Sequence, residues 1–381
     1  MNRLVTASGE LELTRFPHRP QDPLRAWDAA DEYLLRHLDE TGGPQGALAV
    51  LGDRWGALTT ALAAHGPVQI SDSFLARSAT RENLLRAGHE PAAATLLTTR
   101  DAPPERVDTL LVRVPKSLAL LEDQLHRLRP SLHPGTVVVG TGMVKEIHTS
   151  TLRLFEEIIG PTRTSPAMKK ARLIFATHDP SLGPGPGPWP LGYSLPEGIG
   201  AVSGRTVVNH AGVFCSDRLD IGTRFLLEHL PRLPGARRIV DLGCGNGVLG
   251  LAAALTHPDA EIVCTDESYQ AVASAEDTFR ANGQADRAVF TAADALGSVA
   301  PGSADLILNN PPFHSHQATT DATAWRMFQE ARRALAPDGE LWVVGNRHLG
   351  YHVKLRRIFG NCSTVAGNPK FVLLRAVRRG R

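Results

Sequence analysis

Residues 306–316 read LILNNPPFHSH, an apolar run followed by Asn309-Asn310-Pro311-Pro312-Phe313. The run is long enough for a buried strand, and two consecutive prolines must end it. The result is a stiff corner that carries a side-chain amide and an aromatic ring. Asn310 can offer its side-chain oxygen, and Pro311 its backbone carbonyl, as two acceptors for the two hydrogens of an amine. Such a pair suits a planar nitrogen whose lone pair is delocalised into a ring. It would hold that nitrogen in line with an electrophile and free its lone pair, so that positioning rather than a strong base does the work. Phe313 could stack on the flat ring and hold it there.

A second set of residues precedes the corner. In VDLGCGNGVLG, Gly243, Gly245 and Gly247 alternate between a β-type stretch and a helix-forming one, letting backbone approach a ligand closely. The spacing is neither the G-x-G-x-x-G of dinucleotide binders nor a Walker loop, and no Lys or Arg lies in it to meet phosphate. Asp241, at the strand end, suits a cationic amino-acid moiety. Asp266, 25 residues on in IVCTDES, can accept both hydroxyls of a ribose. Asp294, in FTAADALG after a third strand, could receive an adenine amino group. Three carboxylates in this order imply a nucleoside with a positive charge and no phosphate. S-adenosylmethionine fits and NAD does not. Cys244 is read as a small filler of the loop.

These side chains need elements to hold them. Strand-like and helix-like segments alternate along the chain, the pattern of an α/β fold with a largely parallel sheet. Residues 179–200, DPSLGPGPGPWPLGYSLPEGIG, break that pattern, since alternating Gly and Pro sustain neither a helix nor a central strand. A connector is expected over 183–200, between domains at 1–182 and 201–381. The two halves look alike: GALAVLGDRWG parallels RRIVDLGCGNG, RVDTLLVRVPKS parallels SADLILNNPPFH, and Asp72 is aligned with Asp266. Val50, Arg54 and Arg113 replace Asp241, Gly245 and Asn310. The first copy is therefore expected to have kept the fold and lost the site.

Composition bounds the rest. With 42% apolar and 21% charged residues, two folded domains are expected rather than disorder. A net charge of +2 argues against a generic polyanion binder but leaves room for local basic clusters. Four cysteines without a C-x-x-C pair suggest no metal site and no disulfide framework, which fits a reducing cytoplasm. The first twenty residues lack the apolar stretch of a signal peptide, and no segment approaches the roughly 20 apolar residues of a membrane span.

The motifs VDLGCGNGVLG, TDES, AADAL and NPPF together resemble those of class I S-adenosylmethionine-dependent methyltransferases, the last being the corner of those that methylate planar nitrogen. With NPPFH, the stretch GVFCSDRLDIGT and a duplicated first half, the chain is similar to the two-domain ribosomal RNA guanine-N2 methyltransferases. Among these it most resembles the large-subunit group, and the small-subunit group shares the design. The resemblance implies two tandem class I (Rossmann-like) methyltransferase domains, the first degenerate and helping to bind RNA. It also implies roles near the cofactor or target base for Phe214 and for Asp220 to Thr223. Relatives commonly carry a small residue where this chain has Asn309.

Basic residues that could track phosphate include Arg127, Arg129, Arg163 and Arg172, with Lys145, Lys169 and Lys170 as the candidate RNA contacts. His314 and His316 are read as structural or RNA-contacting rather than as bases. The expected activity is methylation of a guanine N2 in 23S ribosomal RNA by a monomer. The same reaction on 16S ribosomal RNA, methylation of a glutamine amide, and a non-catalytic cofactor-binding module remain as alternatives. A glutamine-amide enzyme usually carries tyrosine in place of Phe313 and a small helical accessory domain.

Overall fold

The structure, a computed structural model, describes residues 3–7, 9–19, 22–183, 185–312 and 317–380. The chain divides into two compact units, Met1–Trp189 and Pro190–Arg381.

In the first unit a hairpin of β1 (Arg3–Thr6) and β2 (Gly9–Glu12) precedes α1 (Ala29–Glu40). There follow β3 (Leu48–Leu51), α2 (Ala57–Ala61), β4 (Val68–Ser71), α3 (Phe74–Arg86), β5 (Thr95–Thr98) and β6 (Thr109–Arg113). The unit closes with α4 (Leu118–Leu128), β7 (Val137–Met143), α5 (Thr149–Ile158), β8 (Thr162–Thr164) and β9 (Ala171–Thr177).

The second unit opens with a hairpin of β10 (Leu191–Ser194) and β11 (Thr206–Asn209), then α6 (Ile221–Leu227). It continues through β12 (Arg238–Leu242), α7 (Val248–Thr256), β13 (Glu261–Asp266), α8 (Tyr269–Ala281), β14 (Ala288–Ala292) and β15 (Ala304–Asn309). The last elements are α9 (Gln317–Ala334), β16 (Leu335–Asn346), α10 (Tyr351–Phe359), β17 (Ser363–Gly367) and β18 (Phe371–Val377).

The two seven-stranded sheets have the same order, β5-β4-β3-β6-β7-β9-β8 and β14-β13-β12-β15-β16-β18-β17. All ladders are parallel except those to β9 and β18, which are antiparallel. One topology built twice is what a duplication leaves. The sheets are buried on both faces, which is why their central strands read as unbroken apolar runs. In the second unit Leu306 and Leu308 face a core closed by α6, α7 and α8, while Ile307 faces one closed by α9 and α10. No helix among the described residues is long and apolar enough to cross a membrane.

Residue register refines two expectations. The connector is shorter than 183–200, because Leu191–Ser194 form β10 and Leu195, Ile199 and Val202 are buried in the core of the second unit. Proline and glycine are dense only up to Pro190, after which Leu-Gly-Tyr-Ser can pair as a strand.

The residue matching Asp266 is Ser71, not Asp72. Val50 pairs with Gln69 as Asp241 pairs with Cys264, so Ser71 takes the place of Asp266. The helix caps agree, Ser73 in one copy and Ser268 in the other. The same counting puts Arg100 at the place of Asp294 and Arg113 at that of Asn310.

Candidate active site

In an open parallel sheet, ligands sit beyond the carboxyl ends of the strands where the strand order reverses. Here that point lies between β12 and β15, whose last residues Leu242 and Asn309 are paired. The glycine loop leaves β12, and the Asn-Pro-Pro corner leaves β15. Asn309 is fully buried and its Nδ2 donates to the Leu242 carbonyl at 2.7 Å, tying the two strand ends together beneath the site.

Two carboxylates clasp the loop. Asp266 Oδ2 accepts from the Gly245 amide at 3.0 Å, while its Oδ1 accepts from the Ser268 amide. Asp241 Oδ2 accepts from the Gly250 amide at 2.8 Å, capping the start of α7, whose N-cap Gly247 has no side chain to do so. Gly247 cannot be larger: at φ +79° its Cβ would lie 2.9 Å from the Ala275 backbone. Gly245, at φ +52°, faces open space.

Burial pushes the Asp241 carboxyl up to about 7, with the nearby Asp266 charge adding to the effect. Its Oδ1 is buried without a hydrogen-bond partner. Burial raises Asp266 as well. A cationic, hydroxyl-bearing ligand would offset both, so the donor set fits S-adenosylmethionine. Asp294 at the third strand end is paired with Arg326 of α9 at 3.0 Å.

The corner is held from the other side by α6. Asn310 Nδ2 donates to Asp220 Oδ2 and to Thr223 Oγ1, each at 3.0 Å. Asp220 is also the N-cap of α6, accepting from the Thr223 amide at 2.8 Å. Asn310 Oδ1 is buried with no partner. Pro311 is buried at the corner and Phe214 is 55% exposed. Phe313, His314 and His316 lie outside the described residues.

The corresponding place in the first copy is filled by the chain itself. Arg113 is fully buried and lies 2.6 Å from Asp28, 3.3 Å from Asp31 and 3.2 Å from Glu146. Burial works against its charge, but Asp31, Asp28 and Glu146 more than offset that and hold its pKa above the ordinary arginine value. Arg54, at the place of Gly245, joins the cluster through Asp28 and Glu146. Helix capping has moved too: Asp53 in the loop bonds the Thr59 amide, where Asp241 bonds that of Gly250.

Among the basic residues, Arg129 spends its guanidinium on the carbonyls of Ile158, Asp179 and Leu182, and Arg127 donates to the Asp101 carbonyl. Arg163 lies over the Phe175 ring. Lys145, Lys169 and Lys170 are exposed, and the Val144 amide donates to the Lys170 carbonyl at 2.8 Å. That bond brings lysines 24 residues apart to one edge. Lys169 is 3.1 Å from Glu32.

The family description RLMG N-terminal domain matches residues 1–180, and that of the Methyltransferase small domain matches 204–375. The chain is 69% identical to the Ribosomal RNA large subunit methyltransferase G of Streptomyces avermitilis, covering 99% of each chain. It is 49% identical to the protein of that name from Ectopseudomonas mendocina, covering 98% of each. The chain belongs to the ribosomal RNA large subunit methyltransferase G family. A solved 16S rRNA N2 methyltransferase of T. Thermophilus, in complex with AdoMet and guanosine, shares the two-unit fold at a TM-score of 0.75. It is 21% identical, with 99% of this chain and 97% of that one covered.

Three contacts of this family member are not spelled out by spacing in the sequence. Arg326 on Asp294 comes from a helix 32 residues further on. Asn246, inside the glycine motif, donates to Asn209 at the end of β11 at 2.9 Å, tethering the loop to the hairpin. The third is the grip of Asp220 and Thr223 on Asn310. Only the glycine motif itself, with its polar Asn246, could have hinted at the second.

Proposed function

We propose that the chain methylates the exocyclic N2 of a guanine in large-subunit ribosomal RNA, with S-adenosylmethionine as donor. The orientation of the Asn310 amide carries this reading. The Asp220 carboxylate can only accept, so the NH2 group of Asn310 must face it. The amide oxygen is then left unpartnered beside the strand ends, where the amine of a flat base needs an acceptor. The Pro311 carbonyl supplies the second acceptor, one for each amine hydrogen. The cofactor supplies a methyl group on a sulfonium, and the protein's part is to align the nitrogen and polarise it.

Asp241, Gly243, Gly245, Gly247 and Asp266 form the cofactor side, with Asp294 toward the adenine. Phe214 and Phe313 supply apolar surface for a base drawn out of its stack. The first unit serves RNA binding through the edge of Lys145, Lys169 and Lys170. Family membership supports the large-subunit substrate, and ribosomal RNA as substrate supports a cytoplasmic reaction.

Asn310→Ala tests the reading. Methyl transfer should fall by about 10²-fold or more, as for a lost preorganised polar group, with cofactor affinity unchanged. Near-normal turnover would remove Asn310 from the chemistry.

A further inference from the structure

We infer that Asp220, acting with Thr223, is a positioning residue that fixes the Asn310 amide with its oxygen toward the substrate. The inference rests on the acceptor role of Asn310 proposed above. Free in its pocket, an asparagine amide can present either oxygen or NH2 by a half-turn about its last torsion. Presenting NH2 to an amine would repel the substrate and leave its hydrogens unbound. Both Asn310 N–H bonds are used here, one on Asp220 Oδ2 and one on Thr223 Oγ1. The half-turned amide would set an oxygen against the carboxylate at about the same distance, with no hydrogen between them. One rotamer is thereby selected before any substrate arrives.

The first copy gives an independent sign that these helix positions are a built holder. Asp28 is the N-cap of α1 as Asp220 is of α6, and Asp31 and Thr223 each stand three residues later. Arg113 occupies the place of Asn310, and it is gripped from the same two positions, by Asp28 and Asp31. The first copy exchanged the held residue and kept the holder. Where the strand end must display an acceptor, the holder is an anion plus a hydroxyl, matched to NH2. Where it only has to be filled, the holder is two carboxyl groups, matched to a guanidinium.

The test separates holding from capping. Asp220→Ser keeps an oxygen for the Thr223 amide, as a good N-cap does, but is too short for Asn310. Asp220→Asn keeps both the cap and an oxygen within reach. Single-turnover methyl transfer, cofactor affinity by calorimetry and thermal stability are measured for each, and again with Asn310→Ala in place. Asp220→Ser should slow transfer by about 10–100-fold with cofactor affinity unchanged, as for a misplaced catalytic group. Asp220→Asn should recover most of the rate. In the Asn310→Ala background, Asp220→Ser should cost nothing further, because the two act as a unit. A loss of the same size in both backgrounds would overturn the inference, and so would Asp220→Asn as slow as Asp220→Ser, which would mark a proton acceptor. Near-normal rate in Asn310→Ala alone would instead remove the acceptor reading beneath it.

Discussion

Arg113 and Asn310 occupy one position of a duplicated fold, and their removal should have opposite consequences. The Arg113 side chain is fully buried, with Asp28, Asp31 and Glu146 each within 3.3 Å. Arg113→Ala strands these carboxylates, of which Asp31 is almost wholly buried. Losing one member of such a cluster costs about 3–5 kcal/mol. Arg54 remains 3.4 Å from Asp28 and 3.0 Å from Glu146, so part of the charge stays compensated. That favours the low end, ~3 kcal/mol, which for a unit of this size lowers the melting temperature by about 6–12 °C. The assay is equilibrium denaturation, with hydrogen exchange to locate the loss and calorimetric titration of S-adenosylmethionine. The loss should map to the first unit. The titration should still report one site per chain, because Val50, Arg54, Ser71, Arg100 and Arg113 stand where Asp241, Gly245, Asp266, Asp294 and Asn310 would be needed. A variant as stable as the parent would refute the account of the cluster. Two equivalent cofactor sites in the parent would refute the account of the first copy.

Lys169 and Lys170 both adopt left-handed backbone, φ 47° and 64°, at the turn leading into β9. Replacing them by Asn and Gly should stabilise the protein by ~1 kcal/mol while weakening RNA binding and flattening its salt dependence. Unchanged RNA affinity would deny that edge a binding role. For pH, the raised Asp241 carboxyl means that between its unfolded pKa near 4 and its folded value of about 7 the folded state holds more protons. Its contribution to stability is therefore full below that window and declines as pH rises through it. Binding of a cationic cofactor should tighten over the same rise and release protons near neutral pH, seen as calorimetric heats that vary with buffer ionisation enthalpy. In Asp241→Asn that proton release should shrink, leaving only the part that belongs to the raised Asp266 carboxyl.

The chemistry-bearing motifs were legible because each is local: a strand end, a glycine turn, two prolines and an amide within a dozen residues. The duplication was legible because blocks kept their order. Assigning Asp72 to the place of Asp266 failed by one residue, since strand register and the Ser73 cap, not residue likeness, decide which positions correspond. The connector was drawn too long because composition was averaged past Pro190 into a strand that pairs with Thr206–Asn209. The Arg113 cluster joins residues 28, 31, 54, 113 and 146, and such convergence leaves no mark on spacing. The same is true of Asp220 and Thr223, which lie about ninety positions before the amide they hold.

The most direct test of the account identifies the methylated nucleoside. Purified protein is incubated with labelled S-adenosylmethionine and large- or small-subunit ribosomal RNA separately, and the RNA is digested to nucleosides. The account predicts label in N2-methylguanosine from large-subunit RNA. The same nucleoside from small-subunit RNA alone would contradict the choice of subunit. Label in N6-methyladenosine, or only in a protein acceptor, would contradict the central claim.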